Sequence, residues 1–155
     1  MNKNFFPINI DIAGEKILII GGGQSALKKI QQLRRFNARI EIIALHVCNE
    51  VKESGHPVKI KAYEPSDLNG FLMVYSCSNN DDLDRQITND ARKARVLVNI
   101  HDKPELCQFV SPAIYKKGNI TVSVGSNAED VYESIRLRNV IQDYLENNQI
   151  IKTKI

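Results

Sequence analysis

Apolar and polar positions along this chain follow two periods. Short runs of branched and aromatic residues at Lys16–Ile20, Arg39–Ala44 and residues 58–62, 71–76 and 96–99 read as buried strands. Between them the spacing turns helical. Residues 24–36 carry Leu27, Ile30 and Leu33, and Asn37-Ala38 ends that helix. Asp81–Ala94 carries Leu83, Ile87 and Ala94 close to one face, with Asp81, Asp82 and Asp84 at its start and Arg92 and Lys93 near its end, the charge order that suits a helix dipole. Residues 8–12 read as a short edge strand before the first buried one. Strands alternating with helices predict an α/β fold with a parallel sheet.

After Asn99 the pattern changes. Residues 111–115 and Ile120–Val124, separated by Lys116-Lys117-Gly118-Asn119, predict a hairpin. Residues 129–147 predict an amphipathic helix through Val131, Ile135, Val140, Ile141, Tyr144 and Leu145. A lone hairpin is marginal in water. The hairpin and helix are therefore expected to pack on a second copy, giving a homodimer, with residues 1–110 as a nucleotide-binding domain and 111–155 as the dimerisation segment. Residues 150–155 are expected to fray.

The triplet Gly21-Gly22-Gly23 sits between the first buried strand and the first helix. Glycines there let backbone approach a pyrophosphate, and the helix N-terminus offers unpaired N–H groups and partial positive charge. Read as G-x-G-x-x-G, the motif runs Gly21, Gly23 and then Ala26, a small residue that still lets helix pack on strand. The expected guest is a dinucleotide on a Rossmann-type sheet. An acid about 20 positions further on usually holds the ribose 2′-hydroxyl. Glu41 has roughly that spacing but lies inside its strand, so the choice between NAD and NADP stays open.

Length and composition narrow the class. The chain has 155 residues, 43% of them hydrophobic, enough for one compact core, and a net charge of +3 without long blocks of one sign. Neither nucleic acid nor a membrane surface is expected as a partner. Cys48, Cys77 and Cys107 are an odd number without C-x-x-C spacing, so neither a disulfide framework nor a metal site is indicated. Residues 1–13 lack the pattern of a signal peptide and no apolar run approaches 18 residues; a cytoplasmic protein with reduced thiols is expected.

Read together, three segments carry a specific likeness: Phe6-Pro7-Ile8-Asn9-Ile10-Asp11-Ile12, Ile17-Leu18-Ile19-Ile20-Gly21-Gly22-Gly23, and the run from Val98 to Ile114 containing Asn99-Ile100-His101-Asp102-Lys103-Pro104-Glu105-Leu106-Cys107-Gln108-Phe109. In order and spacing they resemble the precorrin-2 dehydrogenase family, also found as the N-terminal module of sirohaem synthases. The resemblance implies NAD-dependent oxidation of a tetrapyrrole, precorrin-2, to sirohydrochlorin, with iron chelation in some members. It also implies a dimer built on the hairpin and helix. The family's principal catalytic aspartate falls on Asp102. Position leads to the same residue, because Asp102 lies just past the C-terminal end of a predicted parallel strand, where such sheets place their ligands. A carboxylate there could accept the proton released alongside hydride transfer, or pyrrole protons displaced by a metal.

Cofactor contacts carry over to Gln24 and Ser25 after the glycines, to Leu45 and His46 after the second strand, and to Ser76, Cys77 and Ser78 after the fourth. Cys77 reads more simply as a small core residue than as a redox centre. Lys116 and Lys117 read as solvated hairpin-tip residues rather than anchors for substrate carboxylates. Family members follow the hairpin with a Ser-x-Gly-Gly-x-Ser-Pro type of segment, where this chain has Ser126-Asn127-Ala128-Glu129-Asp130-Val131. An NAD(H)-binding module without catalysis and a tetrapyrrole metal chelatase are the alternative readings.

Overall fold

The computed structural model describes residues 3–151. The last four residues of the tail expected to fray therefore lie outside the described residues. The chain forms two compact units, Pro7–Phe109 and the described parts of Met1–Phe6 with Val110–Ile155.

In Pro7–Phe109, β1 (Lys16–Ile20), β2 (Arg39–Ala44), β3 (Val58–Ile60), β4 (Met73–Ser76) and β5 (Leu97–Ile100) form one parallel sheet in the order β3-β2-β1-β4-β5. The connecting helices are α1 (Gln24–Arg34), α2 (Asn49–Lys52) and α3 (Asp81–Ala94). Side chains alternate across a strand. Ile17 and Ile19 of β1 with Met73 and Tyr75 of β4 meet Ala26, Ile30 and Leu33 of α1 in one buried cluster. The alternate positions Val74 and Ser76 are buried on the face that carries α3. This is the expected α/β, Rossmann-type sheet. The strand order reverses between β1 and β4, the switch point at which open α/β sheets bind ligands.

Three local expectations are corrected. Residues 8–12 form no strand: β1 is already flanked by β2 and β4, and a turn closed by Glu15 N–H donating to Ile12 O at 3.1 Å leads straight into it. On α3 the sheet-facing stripe is Asp84, Ile87, Thr88 and Ala91, with Ala94 exposed. The first helix stops at Arg34, and Asn37 takes a left-handed φ of 54° before β2.

In the second unit, β6 (Ala113–Lys117) and β7 (Ile120–Val124) pair antiparallel from Ala113↔Val124 to Lys117↔Ile120, and α4 (Val131–Asn147) packs on them. Asp130 caps α4 by accepting from Glu133 N–H at 2.8 Å. The Asn127 side chain binds the start of the chain in both directions: its Oδ1 accepts from Phe5 N–H at 2.8 Å and its Nδ2 donates to Lys3 O at 2.7 Å. Val131, Tyr132, Ile135, Val140 and Tyr144 of α4 are exposed.

Candidate functional site

All five strands of the sheet point the same way, so the loops after β1, β2, β4 and β5 gather at one edge. Gly21 has a φ of 117°, and a Cβ on it would lie 2.4 Å from Cys77 O. A Cβ on Gly22 would lie 2.4 Å from His46 O. These two glycines thus let the β1, β2 and β4 loops close on one another, sealed by Cys77 N–H donating to Ile20 O at 2.7 Å and Cys48 N–H to Gly22 O at 2.9 Å. Gly23 differs. It is the N-cap of α1 in extended conformation, no side chain caps the helix, no acid lies in its first turn, and a Cβ on Gly23 would meet nothing within 4 Å. An uncapped helix start facing open space is what a pyrophosphate requires.

Gln24 is exposed and Ser25 half-buried beside this opening, and Leu45 and His46 are exposed at the end of β2. Ser76 and Cys77 are buried, and Ser78 is half-buried after β4. Burial pushes the Cys77 thiol up to about 11, against the pull of Lys29 and with the help of Asp84 and Asp102. Cys77 is therefore a neutral packing thiol at physiological pH.

Beside the β4 and β5 loops lies a cleft of about 250 Å³ lined by Ser76, Ser78, Asn79, Asp81, Asp84, His101, Asp102 and Lys103. Asp84 is its organising group. Although it is buried, its carboxylate accepts from Ser76 Oγ at 2.6 Å, Ser78 Oγ at 2.8 Å and Lys103 Nζ at 2.5 Å, so one side chain ties the β4 loop to the β5 loop. Lys103 also reaches Asp81 at 2.6 Å. Hydrogen bonds to Asp81 and Asp84 raise the Lys103 ammonium above its ordinary value, and the bond from Lys103 holds the Asp81 carboxyl below its own. Sequence reasoning missed both Asp84 and Lys103. The signal for Asp84 was present: it sits three, four and seven residues before Ile87, Thr88 and Ala91, an acid on a buried helical stripe.

Residues 99–109 divide by role around Asp102. Asn99 Nδ2 donates to Phe109 O at 2.9 Å, Cys107 Sγ accepts from Ile100 N–H at 3.1 Å, and the Phe109 ring meets Tyr75 edge-on at 5.3 Å between centroids. These contacts fold the segment after β5 back along the strand. Asp102 is left at its tip with a left-handed φ of 58° and a side chain 84% exposed, 3.3 Å from His101 Nε2. A carboxylate so placed is open to a bound molecule and able to take a proton.

Comparison with known proteins agrees with this geometry. A family model described as "Putative NAD(P)-binding" matches residues 8–113, from before the glycine loop to the start of β6. A sirohaem synthase of Vesicomyosocius okutanii is 32% identical over 79% of this chain, and one of Pseudomonas fluorescens is 28% identical over 81%. The chain spans little more than a quarter of these relatives' own length, 27% and 28%. A solved structure titled SirC, precorrin-2 dehydrogenase, superposes with a TM-score of 0.70 at 20% identity, covering 94% of this chain and 76% of the other, which shows the shared fold. With its open glycine loop inside the matched span, the chain belongs to this NAD(P)-binding family.

Proposed function

We propose that the chain catalyses NAD-dependent dehydrogenation of precorrin-2 to sirohydrochlorin in sirohaem biosynthesis, as a cytoplasmic homodimer. The observation that carries this reading is Asp102, exposed at the tip of a loop whose every other anchor is buried or bonded, at the edge of the sheet that holds the open glycine loop. The names of the relatives supply the substrate class. NAD bound along that edge would supply a hydride acceptor. Oxidation removes two hydrogens from the tetrapyrrole, one as hydride and one as a proton. Asp102 takes the proton and passes it to water, while Asp84 and Lys103 hold the two loops in register. The dimer is supported by the exposed apolar residues of α4, and the cytoplasmic setting by three free thiols.

Asp102→Asn keeps shape and most hydrogen bonding but removes the basic group. NAD affinity, measured by calorimetry, is expected to stay near wild type while turnover of precorrin-2 falls by about 10²- to 10⁴-fold. Unchanged turnover would remove Asp102 from the chemistry. A wild type that binds NAD without oxidising precorrin-2 would leave a binding module.

A further inference from the structure

Dinucleotide folds read the adenosine ribose at the far end of the second strand, where a carboxylate accepts the 2′-hydroxyl and an arginine nearby admits a 2′-phosphate. In this chain β2 runs out as Ala44-Leu45-His46-Val47, without an acid or an arginine. Glu41, the acid at the usual spacing, is committed to the sheet: it sits opposite Leu18 in the ladder, 2.8 Å from Lys16 Nζ and 3.6 Å from Lys59 Nζ.

The next acid is Glu50, on α2, and the packing carries it to the glycine loop. Cys48 N–H donates to Gly22 O at 2.9 Å, and Gly22 lies so close to the β2 loop that a Cβ there would be 2.4 Å from His46 O. The start of α2 is thereby fixed beside the turn before α1. Glu50 is exposed, and its carboxyl lies below the usual carboxylate range through hydrogen bonds from its own backbone N–H, from Cys48 and from Gln24, the residue that follows Gly23. The first turn of α2, with its exposed Glu50, thus stands beside the glycine loop, on the side where the second strand ends.

We propose that Glu50 is the residue that reads the adenosine ribose, accepting its 2′-hydroxyl and repelling a 2′-phosphate, so that this chain selects NAD over NADP. The inference rests on the glycine loop being the dinucleotide site. Its residue is not the one that spacing picks out.

The test is equilibrium calorimetry with NAD and with NADP on wild type, Glu50→Gln and Glu41→Gln. Wild type is expected to bind NAD more tightly than NADP by about tenfold or more, the scale of one hydrogen bond to a charged group. Glu50→Gln is expected to bring the two affinities within about threefold, and Glu41→Gln to keep the wild-type ratio. Because Glu50 is exposed, its amide variant should keep the wild-type circular dichroism. Equal binding of both nucleotides by wild type, or an unchanged ratio in Glu50→Gln, would overturn the proposal. Binding of neither by wild type would overturn the glycine-loop site itself, and the two failures are told apart by that first measurement.

Discussion

At the scale of single residues, the edge of the sheet separates groups that close its loops on one another from groups left open beside them. Gly21 and Gly22 are construction, whereas Gly23 is surface. Gly23→Asp is accordingly expected to fold well: its Cβ meets nothing, its extended φ of −95° is that of an N-cap, and aspartate is a favoured cap. Stability should rise by a few tenths to about 1 kcal/mol. NAD binding should be abolished, as calorimetry beside a thermal melt would show, since the new carboxylate sits where the pyrophosphate belongs. Cys77 gives a prediction in pH. Its thiol is held neutral up to about 11 when folded but ionises near 9.0 when free. Its contribution is therefore full below about pH 9 and is lost as pH rises toward 11. Denaturant midpoints should fall over that window more steeply in wild type than in Cys77→Ala. The glycine turn and the position of Asp102 past β5 were legible because turn chemistry and strand ends are written locally. Lys103 was not, because its meaning depends on Asp84 and Asp81, 19 and 22 residues away.

At the scale of elements, runs such as Lys16–Ile20 and Arg39–Ala44 announced themselves because both faces of a central parallel strand are buried. Residues 8–12 alternate as a strand would without forming one, because β1, the strand they lead into, is already flanked by β2 and β4. The segment before α4 is instructive in another way. It takes left-handed backbone at Asn127 and Ala128, with φ of 57° and 64°. Asparagine tolerates that conformation and alanine does not. Ala128→Gly is thus expected to stabilise the fold by about 0.5–1 kcal/mol, net of the entropy a glycine adds to the unfolded chain, as a denaturant titration would show. A glycine at an αR position of α4, as in Ser134→Gly, should instead destabilise.

At the scale of the whole molecule, α4 leaves Tyr132 87%, Tyr144 62% and Val131 60% exposed. Sedimentation at micromolar concentration is expected to give a dimer, and Val140→Glu, at a position 53% exposed and so harmless to a monomer's core, should give a folded monomer. The division of the chain was only partly legible: the change of pattern after Asn99 marked where the sheet ends, but nothing local in residues 3–6 announces that they belong with the hairpin and α4. That allegiance is carried by Asn127, across 122 and 124 positions of sequence. It makes Pro7–Phe109 an uninterrupted insertion within a unit assembled from both ends of the chain. During synthesis the sheet can close as soon as Phe109 emerges, while Lys3 and Phe5, made before it, wait until Asn127 has followed. Residues made before the sheet thus find their place only after it, once the hairpin that precedes Asn127 has been made.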